Sequence, residues 1–192
     1  MINGQDAQDK GSPFQHRFWQ AFYDRAAALY DAVLDLGARL GIGSETTVRR
    51  QVIAALPIKP DEPVLDIGCG TAENRMFLDE SHSYIGLDIS RGMLRRAQAK
   101  CAQNLLSASF VQADAIALPF RRGVFASAVA MGVLQHVAQS GHALAEMRRV
   151  SVVTGEILII DELRASNRLE HRIGMNSSLI IGDYFVWKAN PI

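Results

Sequence analysis

Three carboxylates stand at or beside the ends of three short apolar runs. Asp66 lies in Val64-Leu65-Asp66-Ile67, Asp88 follows Tyr84-Ile85-Gly86-Leu87, and Asp114 follows Phe110-Val111-Gln112-Ala113. If these runs are consecutive parallel strands, the acids gather at the carboxyl edge of one sheet, where open α/β sheets bind ligands. One strand-end acid is commonplace; three in register are not. Asp66, just before a turn, suits a cationic amine better than a phosphate. Asp88, 20 residues after Gly68, suits the paired hydroxyls of an adenosine ribose. Asp114 suits an adenine amino group, with Ile89 and Met93 packing on the ring. Taken alone, Asp88 reads equally as a solvated acid that caps the next helix through Ser90.

The turn after the first run, Gly68-Cys69-Gly70-Thr71-Ala72-Glu73-Asn74, carries glycines that let the backbone turn tightly and approach a ligand. The dinucleotide fingerprint wants a third glycine where Glu73 stands, and a pyrophosphate on that helix start would meet its charge. His136 follows the fourth apolar run, near where a reacting group would sit, and is the candidate catalytic residue, a general base. His142 and Glu146 share a helical face, but two ligands without a third make no metal site. Cys69 and Cys101 form no spaced cluster. The pairs Arg95-Arg96, Arg121-Arg122 and Arg148-Arg149 read as solvated faces rather than a nucleic-acid footprint.

These residues need elements to hold them. Apolar runs at Val64–Ile67, Tyr84–Leu87, Phe110–Ala113, Phe125–Met131 and Glu156–Ile160 alternate with helix-like segments at Thr71–Glu80, Ser90–Asn104 and Gly141–Val150. That alternation predicts a Rossmann-like, doubly wound, mostly parallel sheet. Ahead of it, residues 1–12 read as a disordered start and residues 13–60 as an N-terminal helical cap. Ser12-Pro13 opens the first cap helix, an aromatic-rich amphipathic stripe from Phe14 to Leu34, and Ser44 opens the second, to about Leu56. Residues 61–192 form the ligand-binding domain. The tail after the fifth run is short, so a sixth and a seventh strand are expected to be absent or incomplete, exposing the apolar edge of the fifth.

The whole chain sets bounds on function. Its 192 residues suit one domain, and 20 basic against 20 acidic side chains give zero formal charge, against broad electrostatic binding to DNA or anionic membrane. No apolar run approaches the roughly 20 residues of a membrane span, and the polar start lacks a signal-peptide pattern. A soluble cytoplasmic domain is expected.

The run Val64–Asn74 resembles motif I of the class I S-adenosylmethionine-dependent methyltransferases, in particular their type 11 group. Gly86-Leu87-Asp88-Ile89-Ser90 resembles motif II, and Gln112-Ala113-Asp114-Ala115 with Leu118-Pro119-Phe120 resembles the segment that follows. Val133-Leu134-Gln135-His136-Val137 and Glu146-Met147-Arg148-Arg149-Val150 match the later landmarks, so the resemblance covers about residues 60–162. It implies S-adenosyl-L-methionine as cofactor, with Asp66, Gly68 and Gly70 at the methionine moiety and Asp88 at the ribose. Ile89 and Asp114 with Ala115 would hold the adenine; Cys69, Met93 and Met131 complete the expected contacts. Phe22-Tyr23-Asp24-Arg25 with Leu29-Tyr30-Asp31 is similar to the start of ubiquinone and menaquinone biosynthesis methyltransferases, where this region covers the cofactor and shapes the acceptor pocket. The plainer reading of these aromatics is the buried face of a helix.

The chain departs from the family pattern at Ala72, a glycine in many members, at Ala126, usually Asp, and at Val152-Val153-Thr154-Gly155, usually Lys-Pro-Gly-Gly. Ala130-Met131-Gly132-Val133 lacks the Asn/Asp-Pro-Pro-Tyr pattern of nucleic-acid amino methyltransferases. The expected function is in-line methyl transfer to a small, apolar or quinone-like acceptor. The alternatives are a tRNA-modifying relative and a non-catalytic subunit that binds a protein partner, or a second copy, through the open sheet edge. A nicotinamide-dependent oxidoreductase stands third, opposed by Glu73.

Overall fold

The computed structural model describes residues 20–26, 29, 44–54, 58, 61–162, 178–181 and 184–189. The expected frayed start, the Ser12-Pro13 helix start and most of the aromatic stripe lie outside these residues. Two cap helices precede the sheet: α1 (residues 20–26, with residue 29 also helical) and α2 (Ser44–Ala54). The strands are β1 (Pro63–Ile67), β2 (Ser83–Asp88), β3 (Ser109–Gln112), β4 (Phe125–Met131), β5 (Ser151–Glu162), β6 (Ser178–Ile181) and β7 (Tyr184–Ala189). Helices α3 (Arg91–Gln103) and α4 (Ser140–Val150) link β2 to β3 and β4 to β5.

All seven strands form one sheet in the order β3-β2-β1-β4-β5-β7-β6. Pairing is parallel from β3 through β5, as the alternation of runs and helices predicts. The expectation of missing sixth and seventh strands is corrected. β7 pairs antiparallel with β5 from Glu162↔Tyr184 to Ile157↔Ala189, and β6 pairs antiparallel with β7. The apolar edge of β5 is therefore covered within the chain, and a partner is not needed to cover it. Only Gly182 and Asp183 separate the two runs. A two-residue Gly-X link between apolar runs is the mark of a tight hairpin, and it was the signal to read here.

Alternation along the strands builds a core on each face. Leu65, Ile67, Leu87, Ala128, Ala130, Ile157 and Ile159 pack with Ala143, Leu144 and Met147 of α4. On the other face Val64, Tyr84, Val129, Leu158 and Ile160 pack with Ala97 and Cys101 of α3 and with Val52 and Ile53 of α2. In α4 the buried residues Ala143, Leu144, Met147 and Val150 recur at helical spacing, so one stripe faces the sheet. Fully burying a side chain such as Leu144 contributes about 2 kcal/mol.

Two local expectations change. Thr71–Glu80 is not a regular helix but a short 3-10 turn, Glu73–Phe77, entered through left-handed Ala72 (φ 63°). Fully buried Arg75 ties that turn down, donating from Nε to Ser107 O (2.9 Å) and from Nη1 to Leu78 O (3.0 Å). Val152–Gly155 is strand rather than turn. Between two β4 residues, Phe125 and Ser127, β5 advances from Ser151 to Glu156, so the extra chain bulges out. A Cβ on Gly155 would lie 2.7 Å from Ala126 O, so the strand passes there only as glycine. Among the described residues no helix is long and apolar enough to cross a membrane.

Candidate functional site

At the carboxyl ends of β1, β2 and β4 the described chain opens into a cleft. Counting the open solvent at its mouth, its empty space is ≈ 840 Å³. Of the residues singled out from sequence, Gly68, Gly70, Asp88, Ile89, Met93, Asp114, Ala115, Met131 and His136 line it.

Asp88 ends β2 and lines the cleft. Its Oδ2 accepts from Gly70 N (2.9 Å) and its Oδ1 from Ser90 N (2.8 Å). Burial pushes its carboxyl above the ordinary range against the pull of the Ser90, Gly70 and Ile89 amides, and Asp24 nearby adds to the rise. Each oxygen has lone-pair capacity for a further donor from the cleft. The helix-capping reading of Asp88 is thus half met: Ser90 is the N-cap of α3, its side chain accepting from Met93 N (3.1 Å), while Asp88 holds the backbone around it.

The glycine turn fits close approach. Gly70 has φ +54°, and an added Cβ there would meet nothing within 4 Å, so its hydrogen marks open space. Gly68 (φ +65°) differs: a Cβ would come 2.3 Å from Val133 Cγ2, so this glycine makes room for the segment after β4. Asp114 faces the cleft while its Oδ1 accepts from Ile116 N (3.1 Å). The wall it belongs to is braced from behind. Glu146 accepts from Leu118 N (2.9 Å) and pairs with Arg149, which donates to Phe120 O (2.8 Å) and Leu118 O (2.9 Å). The Arg149 hydrogen bond holds the Glu146 carboxyl below its ordinary value. Arg149 is thus a strut, not the solvated arginine its pair suggested, and Glu146 is a brace rather than half of a metal pair.

Two expected contacts lie elsewhere. Asp66 is 1% exposed and turned inward. Its Oδ2 accepts from Tyr84 Oη (2.6 Å) and its Oδ1 from Asn74 Nδ2 (3.0 Å), while Asn74 Oδ1 accepts from Arg49 Nη1 (2.6 Å). Burial raises Asp66 to about 6, against Tyr84, Asn74 and Arg49, which lower it. The acid read as an amine ligand therefore anchors the glycine turn to β2 and α2 from beneath. Cys69 is likewise buried away from the cleft. Its sulfur would lie 2.8 Å from a Cβ on Gly86, and burial pushes its thiol well up.

The cleft also has residues that were not singled out: Tyr23, Leu87, Ala113, Gly132, Val133 and Val137. Tyr23 comes from α1, and its hydroxyl stands 3.4 Å from His136 Nε2. The next residue clips α1 in place: Asp24 Oδ1 accepts from Ser90 Oγ (2.6 Å) and from Gly92 N (2.8 Å). Phe22-Tyr23-Asp24-Arg25 was the available signal, and only the buried-face reading stood against it. Phe22, the neighbour of Tyr23, is 49% exposed, so that face is not simply core.

The charged groups among the described lining residues are the acids Asp88 and Asp114, with no Lys or Arg. That acceptor set suits hydroxyls, amino groups and a cation. The 3-10 turn after the glycines offers no regular helix N-terminus for a pyrophosphate. Glu73 itself is paired with Lys100.

Residues 64–155 match the family described as a methyltransferase domain. The chain is 30% identical over 142 residues to the demethylmenaquinone methyltransferase of Renibacterium salmoninarum, a match covering 73% of this chain and 57% of that protein. It is 31% identical over 150 residues to the demethylmenaquinone methyltransferase of Mycobacterium tuberculosis, covering 78% of this chain and 60% of that protein. The chain thus spans less than two thirds of the length of these curated relatives. In fold it is similar to the crystal structure of a TehB-like SAM-dependent methyltransferase from Corynebacterium glutamicum. That likeness has a TM-score of 0.67 at 17% identity, covering 85% of this chain and 96% of that one.

Proposed function

We propose that the chain is a class I S-adenosylmethionine-dependent methyltransferase that transfers a methyl group from that cofactor to a small, apolar, quinone-like acceptor. The observation that carries this reading is the charge of the cleft: two carboxylates, a glycine cradle and no cationic side chain among the described lining residues. A sulfonium with an α-amino group and an adenosine fits such a lining, whereas the diphosphate of a nicotinamide cofactor does not. The quinone-like acceptor is supported by the names of the curated relatives and by the apolar side chains of Val133, Val137 and Met131 at the cleft.

Each wall has an assigned task. Asp88 accepts from the ribose hydroxyls, Ile89 and Met93 flank the adenine, and Asp114 with Ala115 meets its edge. Gly70 leaves room for the methionine moiety, and Gly68 lines the cleft beside it while admitting Val133. When bound, S-adenosylmethionine supplies a methyl on a sulfonium whose departure as a neutral thioether needs no acid. The protein therefore accelerates transfer by alignment and by excluding water. Tyr23 closes one side of the cleft, and His136 serves as general base for an acceptor that must lose a proton.

Calorimetric titration with S-adenosylmethionine, and with NADH as control, tests the reading. Micromolar binding of the first alone is expected. Binding of NADH instead, or of neither by the folded chain, would overturn it.

A further inference from the structure

We propose that Tyr23 and His136 work as one proton-handling pair on the acceptor side of the cleft, delivered by α1 and held by Asp24. The inference rests on the methyltransferase reading and adds a residue and an acceptor class to it. The geometry is the ground. Tyr23 and His136 are 113 residues apart, yet both line the cleft, with Tyr23 Oη 3.4 Å from His136 Nε2 and the rings edge to face at 6.1 Å. An apo hydrogen bond of that length tightens when a ligand fills the site.

The approach is built in. Asp24, adjacent to Tyr23, accepts from Ser90 Oγ and Gly92 N at the start of α3. Burial would raise its carboxyl, but these bonds with Arg95 and Arg25 hold it low, so the clip stays ionised. Gly92 admits α1 at this distance: a Cβ would sit 2.9 Å from Asp24 O and 3.0 Å from Asp24 Cα. Asp88 and Asp114 line the cleft with the pair, and Asp24 stands next to Tyr23 with Arg25 and Arg95 beside it. Burial and the neighbouring Asp88 push the Tyr23 hydroxyl above its ordinary value, so a free phenolate is disfavoured. Tyr23 therefore passes a proton on rather than keeping a charge.

The step balances as follows. The acceptor's O–H or activated C–H breaks and its proton goes to Tyr23 Oη, while Tyr23's own proton goes to His136 Nε2. The electron pair left on the acceptor forms the bond to the methyl carbon. The carbon–sulfur bond breaks with its electrons staying on sulfur. Tyr23 ends neutral and His136 ends as imidazolium, to be discharged to solvent. The acceptor class this fits is a weakly acidic phenol, enol or hydroquinone.

Two readouts test the pair. In the chain without cofactor, the NMR titration of His136, assigned with His136→Gln, is expected to move by at least about 0.3 pH units in Tyr23→Phe. An unmoved midpoint overturns the hydrogen-bonded pair. With reduced short-chain demethylmenaquinone as probe, Tyr23→Phe and His136→Gln should each lower kcat at least tenfold and change its pH profile. The double variant should be no worse than the worse single one. S-adenosylhomocysteine affinity should stay within about threefold. Multiplicative losses, an unchanged kcat, or a wild-type chain that methylates none of the probe overturn the proposal. Failure of S-adenosylhomocysteine to bind the wild-type chain would instead sink the underlying methyltransferase reading.

Discussion

Asp66 and Asp88 are neighbours in the sheet with opposite surroundings. β1 and β2 pair in parallel with Asp66 opposite Gly86, so Asp88 stands two residues further along, past the end of that pairing. Asp66 meets side-chain donors from Tyr84 and Asn74 in a dry interior. Asp88 meets backbone donors from Gly70 and Ser90 and faces the cleft. Burial raises both carboxyls. One acid therefore fastens the turn, and the other is held by the turn at the cleft. A strand-end carboxylate becomes a site only when its partners leave it at the rim.

The comparison predicts that the two acids fail differently. Asp66→Ala leaves Tyr84 Oη and Asn74 Nδ2 without their buried acceptor, removes the carboxylate whose charge faces Arg49, and should cost about 3 kcal/mol in urea unfolding. A loss under about 1 kcal/mol would show that the network beneath the turn is not structural. Asp88→Ala should weaken S-adenosylmethionine binding at least tenfold, about 1.4 kcal/mol by calorimetry. Unchanged affinity would remove Asp88 from the ribose, and a larger binding loss from Asp66→Asn would reverse the two roles.

Acidity separates them further. Asp66 ionises at about 6 in the folded chain against 3.8 unfolded. The folded state thus holds the extra proton between those values. The stability this gives is full below 3.8 and lost as pH rises through about 6. From about pH 5 to pH 7 the wild-type chain should lose about 1 kcal/mol more than Asp66→Asn does. Parallel stability curves would mean that Asp66 is not the titrating group. On the outer side of the turn, Lys100 pairs with Glu73 in partly exposed surroundings. Lys100→Met should change stability by only about 0.5 kcal/mol and leave cofactor affinity alone. A large effect on binding would place this pair in the site after all.

The sequence made the parallel half of the sheet legible because its strands are continuous apolar runs bounded by acids and glycines. That Gly70, Asp88 and Asp114 meet at one cleft was legible for the same reason. Asp66 was misplaced because type and position along a strand do not say which way a carboxylate turns. That depended on Tyr84, two strand positions before Gly86, and on Asn74 within the 3-10 turn. The Thr71–Glu80 helix failed because a left-handed Ala72 and the buried tether of Arg75 override local propensity. Tyr23 was not legible as a cleft residue, since only long-range docking through Asp24 brings α1 to His136.

The place of β7 between β5 and β6 bears on how the chain is made. β5 ends at Glu162, while its outer partner begins only at Tyr184. During synthesis the run Ile157-Leu158-Ile159-Ile160 must wait, one edge unpaired, until the ribosome has delivered the later hairpin. β6 emerges first but has no seat on the sheet until β7 arrives. That interval is when a nascent β5 is open to pairing with another chain. Slowing translation between positions 162 and 184 should therefore raise aggregation of newly made protein, while leaving the finished fold untouched.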